Sequence, residues 1–302
     1  MLTALEAGVK GGQWFSLIDK VYDPRNLESA YQRSKRNQGS AGVDHVTIAQ
    51  FTAHLDQNLE SLSRSLKDGS YRPQAIRRVW IPKPGSAEKR PLGIPTVRDR
   101  LVQGALRNVL EPIFERDFAA HSYGFRPGKS SKDALRRVSE LLEAGYTHVV
   151  DADLRSYYDT IPHQRLMARI AAKVSDGRVL DLVRAFLAQE VLAGLEHWTP
   201  EEGTPQGAVI SPLLSNIYLD PLDHQMAEQG YEMVRYADDF VILCRSREEA
   251  ERALAEVASW TAEAGLQLHP AKTRIVDAAQ PGGFDFLGYH FERGYRWPSA
   301  KS

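Results

Sequence analysis

Apolar and polar positions change their spacing several times along the chain, and each change marks an element. Residues 1–62 read as helical and polar, broken by a small-residue turn at QGSAGVD (38–44). Residues 71–97 are rich in Pro, Arg and β-branched residues, and RRVWI, the loop KPGSAEK and RPLGI predict a hairpin. A helix is predicted over 98–115. THVVDADL (147–154) is a short apolar run ending in acid, hence a strand, and a helix is predicted across roughly 163–189. Ser211 and Pro212 read as the N-cap and first position of a helix running to about Glu228. YEMVRYADDFVILC (231–244) is two apolar runs around a tight Ala-Asp-Asp turn, hence a hairpin. Ser246 and Glu249 form a capping box for a helix ending at Gly265. TRIV (273–276) and FDFLGYHF (284–291) close the chain with strands. This order predicts an α+β fold, an antiparallel sheet with helices on one face.

Composition narrows the class. The chain has 302 residues, 42% apolar and 25% charged, as ordinary globular proteins do. Cys244 is the single cysteine, so no internal disulfide forms, and no spacing suggests zinc. The apolar runs are too short to span a bilayer, and Met1–Gln13 lacks a signal peptide's apolar stretch. A cytoplasmic setting without membrane association is the expectation. The net charge of −1 conceals an asymmetry: residues 64–137 hold 17 Lys/Arg and 7 Asp/Glu, a net of +10, leaving −11 elsewhere. A basic region beside an acidic one suits a polyanion site next to a metal site, or is a solvated basic surface.

The acidic residues supply candidate chemistry. Asp238 and Asp239 fall in the turn of the 231–244 hairpin, and Asp153 ends the 147–154 strand. If these strands are neighbours, three carboxylates converge at one sheet edge, which is electrostatically costly without cations. Nucleotidyl transfer needs such a site: two Mg2+ about 3.5–4 Å apart lower the pKa of an attacking hydroxyl and stabilise the leaving pyrophosphate. Mg2+ takes oxygen ligands and keeps several waters, so a few carboxylates suffice. An Asp-Asp pair is also a common solvated turn. The apolar flanks, MV before and FVIL after, favour a buried hairpin presenting acids at its tip.

At these residues the chain resembles reverse transcriptases. YADD (236–239) is similar to their signature, and the surrounding blocks resemble the group II intron-encoded, or maturase, branch. RRVWIPKPGSAEKRPLGIPTVRDRLVQGAL (77–106) and HSYGFRPGKSSKDAL (121–135) resemble the two fingers blocks. VVDADLRSYYDTIPH (149–163) is similar to the strand with the first metal-binding Asp, and GTPQGAVISPLLSNIYLDPLD (203–223) to the loop and helix behind the nucleotide. GLQLHPAKTRIV (265–276) and FDFLGYHF resemble the last palm blocks. Six blocks in order are far more specific than any one motif.

The resemblance implies a right-hand polymerase: an N-terminal extension (1–62), fingers (63–142) and a palm (143–302), with finger-proximal helices at about 163–200. It implies an RNA-directed DNA polymerase acting on an RNA template, intron RNA in this branch, with a DNA or RNA primer and dNTPs. The cofactor would be two Mg2+, with Mn2+ a substitute, held by Asp153, Asp238 and Asp239 as the catalytic metal ligands. Lys83 and Arg90 match residues that hold the triphosphate, Tyr158 the aromatic gate under the sugar, and Gln206 the loop residue beside the nucleotide. Arg126, Lys129 and Tyr236 are assigned to template or primer, although Arg126 and Lys129 could instead pack beside the palm. GFRPGKS (124–130) is not a P-loop, because three residues rather than four separate its glycines. The sequence departs from the family at DLRSYYD, where Ile, Lys, Gly and Phe are more usual, and at Ala208, often glycine. The chain stops at WPSAKS, where the family continues into a helical thumb, so the thumb is expected to be absent and the grip on duplex weak. A splicing cofactor without polymerisation, a retron or defence enzyme, and a nucleotide cyclase are the alternatives. The fingers blocks and the PQG loop argue against the last.

Overall fold

In the computed structural model, which describes residues 12–82 and 89–299, most helix starts fall where a side chain satisfies free N–H groups. After the single turn α1 (Ile18–Val21), Asp23 caps α2 (Pro24–Asn37) by accepting from Arg25 N. Thr47 and Gln50 form a capping box for α3 (Ile48–Ala53), and α4 (Leu55–Asp68) stops at left-handed Gly69. The expected hairpin forms as β1 (Ile76–Pro82) and β2 (Lys89–Ile94), with its connecting loop outside the described residues. Thr96 caps α5 (Val97–Glu115), and Ser130 with Asp133 boxes α6 (Ser131–Glu143). β3 (His148–Asp153) leads into the short α7 (Tyr157–Thr160).

Two helices, α8 (His163–Ala171) and α9 (Gly177–Leu187), replace the single one expected across 163–189. Asp176 makes the break. One carboxylate oxygen accepts from the N–H groups of Arg178 and Val179, and the other accepts from Leu17 and Ile18. A second correction follows: β4 (Val191–Ala193) and β5 (Glu196–Trp198) form a hairpin within the expected helical stretch. The chain continues through α10 (Ser211–Glu228), β6 (Glu232–Tyr236), β7 (Asp239–Cys244), α11 (Arg247–Glu263), β8 (Arg274–Asp277), β9 (Phe284–Phe286), β10 (Tyr289–Glu292) and β11 (Tyr295–Pro298). Pro212 sits in the first turn of α10, as expected.

The described residues divide into two compact units. The first holds 12–82, 89–117 and 162–217, so the chain leaves it at 117 and returns at 162. Its boundaries therefore differ from those expected at 62 and 142. Its sheet has the order β2-β1-β4-β5, with β1 and β4 parallel. Here α5 packs on α2. Gly104 permits the approach, since a Cβ there would lie 3.0 Å from Ala30 Cβ.

The second unit holds 118–161 and 218–299. Its sheet has the order β6-β7-β3-β8, antiparallel throughout, as expected. Val149, Val234, Val241 and Leu243 share a core with Ala134, Leu135, Val138 and Leu141 of α6 and with Phe284, Phe286 and Phe291 of the small β9–β11 sheet. Strand alternation turns Val150, Ala152, Phe240 and Ile242 the other way, and these are also 0–1% exposed. Burial on both faces explains why FVILC reads as a continuous apolar run. Among the described residues, no helix is long and apolar enough to cross a membrane.

Candidate active site

Two long-range pairings assemble the acidic edge. β3 and β7 pair so that Asp153 stands opposite Asp239, with Asp151 opposite Val241. Period-two alternation then places Asp151, Asp153 and Asp239 on one face. β6 and β7 close a two-residue turn, Ala237–Asp238, between partners Tyr236 and Asp239. Ala237 adopts φ +60°, in the left-handed region that non-glycine residues seldom occupy.

Residues 121–124 build the support for this turn. Tyr123 N donates to Arg235 O at 2.8 Å, and Arg235 N donates to His121 O at 3.0 Å, adding a bridge at the outer edge of β6. Gly124 lies so close to the turn that a Cβ would sit 2.2 Å from Ala237 N. Glycine is required there by close approach, so Gly124 of the GFRPGKS segment serves the turn.

Burial pushes the Asp239 carboxyl up to about 7, reinforced by the charges of Asp238, Asp151 and Asp153 and opposed by a hydrogen bond from Leu287 N–H. Burial likewise raises Asp238 and Asp151 above the usual carboxylate range. Two cations answer part of this charge: Lys272 Nζ lies 2.6 Å from Asp153 Oδ2, and Arg274 Nε lies 3.2 Å from Asp151 Oδ2. A hydrogen bond from His269 N–H to Asp153 O, 2.7 Å, holds the loop carrying Lys272 against the end of β3.

A divalent cation fits this donor set, because its carboxylates offer only oxygen, and burial and neighbouring carboxylates raise Asp238 and Asp239 above their usual range. Among the described residues, no three carboxylate, histidine or cysteine groups are gathered tightly enough to hold an ion alone. Mg2+ sites that act on phosphates use one or two carboxylates with substrate oxygens and water. Asp153, Asp238 and Asp239 would supply the protein's share.

The other expected residues are distributed as follows. Tyr158 is half-buried on α7, its ring 5.5 Å from that of Tyr157, which is the core member of the pair at 2% exposure. Tyr236 is half-buried beside the turn, and its ring lies 6.2 Å from Phe125. Arg90 is exposed on β2 in the first unit. Gln206, in the same unit, accepts from Gly93 N–H at 2.6 Å, which ties its loop to β2. Gly207 there has φ +102°, and a Cβ would meet Gly93 O at 2.6 Å. Lys83 lies outside the described residues.

The template or primer assignment of Arg126 is corrected. Its guanidinium is turned inward, 8% exposed, donating to Ala119 O at 2.6 Å and Ser122 O at 2.8 Å over the ring of Phe118. It closes the 118–126 loop and so packs within its own unit, the second of the two readings. Lys129 donates to Ala120 O and lies 4.9 Å above the Tyr123 ring.

Several residues escaped the sequence reading. Asp151 was findable, because it stands two positions before Asp153 on one strand. Lys272 and Arg274 carry no local signal. Phe125 is 52% exposed at φ +57°.

A family model described as reverse transcriptase (RNA-dependent DNA polymerase) matches residues 81–291. The chain is 35% identical to protein YkfC of Escherichia coli (strain K12), covering 92% of this chain and 83% of that protein. It is 38% identical to the group II intron-encoded protein LtrA of Lactococcus lactis subsp. cremoris, over 64% of this chain and 32% of LtrA. The chain thus spans most of YkfC and about a third of LtrA. Among solved structures, telomerase from Candida albicans has a similar fold, with TM-score 0.56 and 13% identity, over 85% of this chain and 50% of that one. A Cas6-RT-Cas1–Cas2 complex gives TM-score 0.51 and 24% identity, over 82% and 41%.

Proposed function

This chain belongs to the reverse transcriptase family, in its group II intron-encoded branch, and from that premise we propose that it extends a primer 3′-hydroxyl along an RNA template with dNTPs. The second unit is the palm and the first carries the fingers. The observation that carries the reading is the register pair Asp153–Asp239 with Asp238 in the adjoining turn, a carboxylate group short of positive charge.

Asp153, Asp238 and Asp239 would hold two Mg2+, with Mn2+ able to replace them, and these would supply charge neutralisation at the attacking hydroxyl and the leaving pyrophosphate. The protein's part is to hold the ligands. β3 and β7 fix Asp153 and Asp239 face to face, and the left-handed Ala237 turns Asp238 toward the same edge. Tyr158 presents a ring that leaves no room for a ribose 2′-hydroxyl. Arg90 and Lys83 neutralise triphosphate oxygens, Arg90 in bidentate fashion. Gln206 lines the nucleotide through a loop that Gly207 lets lie flat on β2. Lys129 and Tyr236 face template or primer.

Primer extension on an RNA template with Mg2+ and dNTPs tests the reading, with wild type beside Asp239→Ala. Incorporation by wild type and its loss in the variant is expected. Equal incorporation by both would overturn the metal assignment. RNA binding without incorporation by either would favour a maturase that folds intron RNA without copying it.

A further inference from the structure

The second unit buries an ion pair that the proposed chemistry leaves unused. Arg235, the penultimate residue of β6, is 1% exposed, and Asp223 of α10 is 6% exposed. Arg235 Nε donates to Asp223 Oδ1 at 2.7 Å, and Nη2 donates to Oδ2, a bidentate fork. The remaining arm, Nη1, donates to the carbonyl of Ala237 at 2.7 Å. Register places Arg235 opposite Phe240, on the face away from Asp153 and Asp239. The guanidinium therefore lies beneath the sheet and reaches up under the turn.

We infer that the Asp223–Arg235 pair is a positioning device that holds the Ala237–Asp238 peptide, and through it the two metal-binding carboxylates, in one orientation. This rests on the reading of Asp238 and Asp239 as metal ligands. The Ala237 carbonyl and the Asp238 N–H belong to one rigid peptide plane. Fixing the carbonyl fixes the direction in which the chain enters Asp238. Ala237 is in the left-handed region, where a residue with a Cβ stays only if its surroundings over-determine it. Gly124 presses on its N–H side and Arg235 holds its carbonyl side. Asp223 aims the guanidinium and neutralises it.

Stability alone does not account for the pair. Burying two charges costs desolvation that their attraction scarcely repays, and apolar residues of similar volume often serve as well or better. Such residues would leave the Ala237 carbonyl unheld.

The test replaces both charges in the full chain, as Asp223→Leu with Arg235→Met. The double variant is expected to melt near wild type. Amide exchange at Ala237–Asp239 should quicken by about tenfold or more while residues 240–243 keep their protection. Mn2+ affinity measured by calorimetry should weaken by about tenfold, and kcat should fall while the KM for dNTP holds. Unchanged exchange at the turn with unchanged Mn2+ affinity overturns the inference. If the double variant fails to fold, Arg235→Lys decides: it keeps the charge but cannot make the fork and the Ala237 bond together. Wild-type exchange and Mn2+ affinity in that variant overturn the inference equally. A wild type whose Mn2+ binding ignores Asp239→Ala would refute the metal reading instead, and the exchange rates would still decide whether Arg235 holds the turn.

Discussion

Lys272 reaches across from the loop before β8 to lie 2.6 Å from Asp153, so a side-chain ammonium shares the carboxylate that the metals would use. The pair is open to solvent, with Lys272 59% and Asp153 33% exposed, and adds less than about 1 kcal/mol to stability. Its effect falls on ion binding. Lys272→Met is expected to fold normally and to bind Mn2+ about threefold more tightly, because a competing charge is gone. Calorimetry checks this, and unchanged or weaker affinity would show that Lys272 does not compete.

Asp239 gives a pH dependence with a definite sign. Its folded pKa is raised from 3.8 to about 7. Its contribution to the stability of metal-free protein is therefore full below the unfolded value and is lost as pH rises through about 7. Asp238 and Asp151 act in the same sense. Denaturant melts in chelator should show stability falling from about pH 4 to pH 7, with a shallower fall in Asp239→Asn. Added Mg2+ should stabilise most at the upper end, where the carboxylates are free of protons. Parallel profiles in wild type and Asp239→Asn would contradict the burial of this charge.

The adjacent tyrosines should separate cleanly. Tyr158→Ala is expected to raise ribonucleotide incorporation relative to deoxyribonucleotide by about tenfold or more, with little loss of stability. Tyr157→Ala should cost about 3 kcal/mol through a lost core ring. The ratio of kcat/KM values for paired nucleotides reads the first, and denaturant midpoints read the second. Unchanged sugar selectivity would remove Tyr158 from the gate.

Gly124→Ala should act on the turn at a distance in sequence. The new Cβ would meet Ala237 N at 2.2 Å and Tyr236 C at 2.9 Å, backbone atoms that cannot swing aside. A cost of about 1–3 kcal/mol is expected, with primer extension failing at temperatures where the protein is still folded. Wild-type extension and melting would show that the turn has slack.

Phe125 offers a stacking surface beside Tyr236. Base-on-aromatic stacking contributes about 1–3 kcal/mol, so Phe125→Ala should weaken primer–template binding between about 5-fold and 150-fold. Fluorescence anisotropy with labelled duplex checks it, and unaltered affinity at equal salt would exclude the contact.

The palm strands, and the places of the three aspartates at a strand end and a hairpin turn, were legible in the sequence because their signals are local. EMVRY and FVILC are largely apolar runs, and a two-residue turn between such runs has few other solutions. The start of α11 was legible for the same reason, since Ser246 accepts from the N–H of Glu249, three residues on. What the tertiary structure alone decided is which polar groups turn inward. Arg126 was read as a candidate for RNA and instead closes its own loop, while Arg235 was passed over and lies buried under the turn. Asp176 broke a helix because its second carboxylate oxygen found Leu17 and Ile18, 159 and 158 residues away. An arginine or aspartate carries the same letter in solvent and in a core. Its fate depends on whether distant segments bring it a partner, and burying a charge is tolerable only with one. Apolar spacing therefore fixed where the strands run, and long-range hydrogen bonding decided how the Ala237–Asp238 turn between them is held.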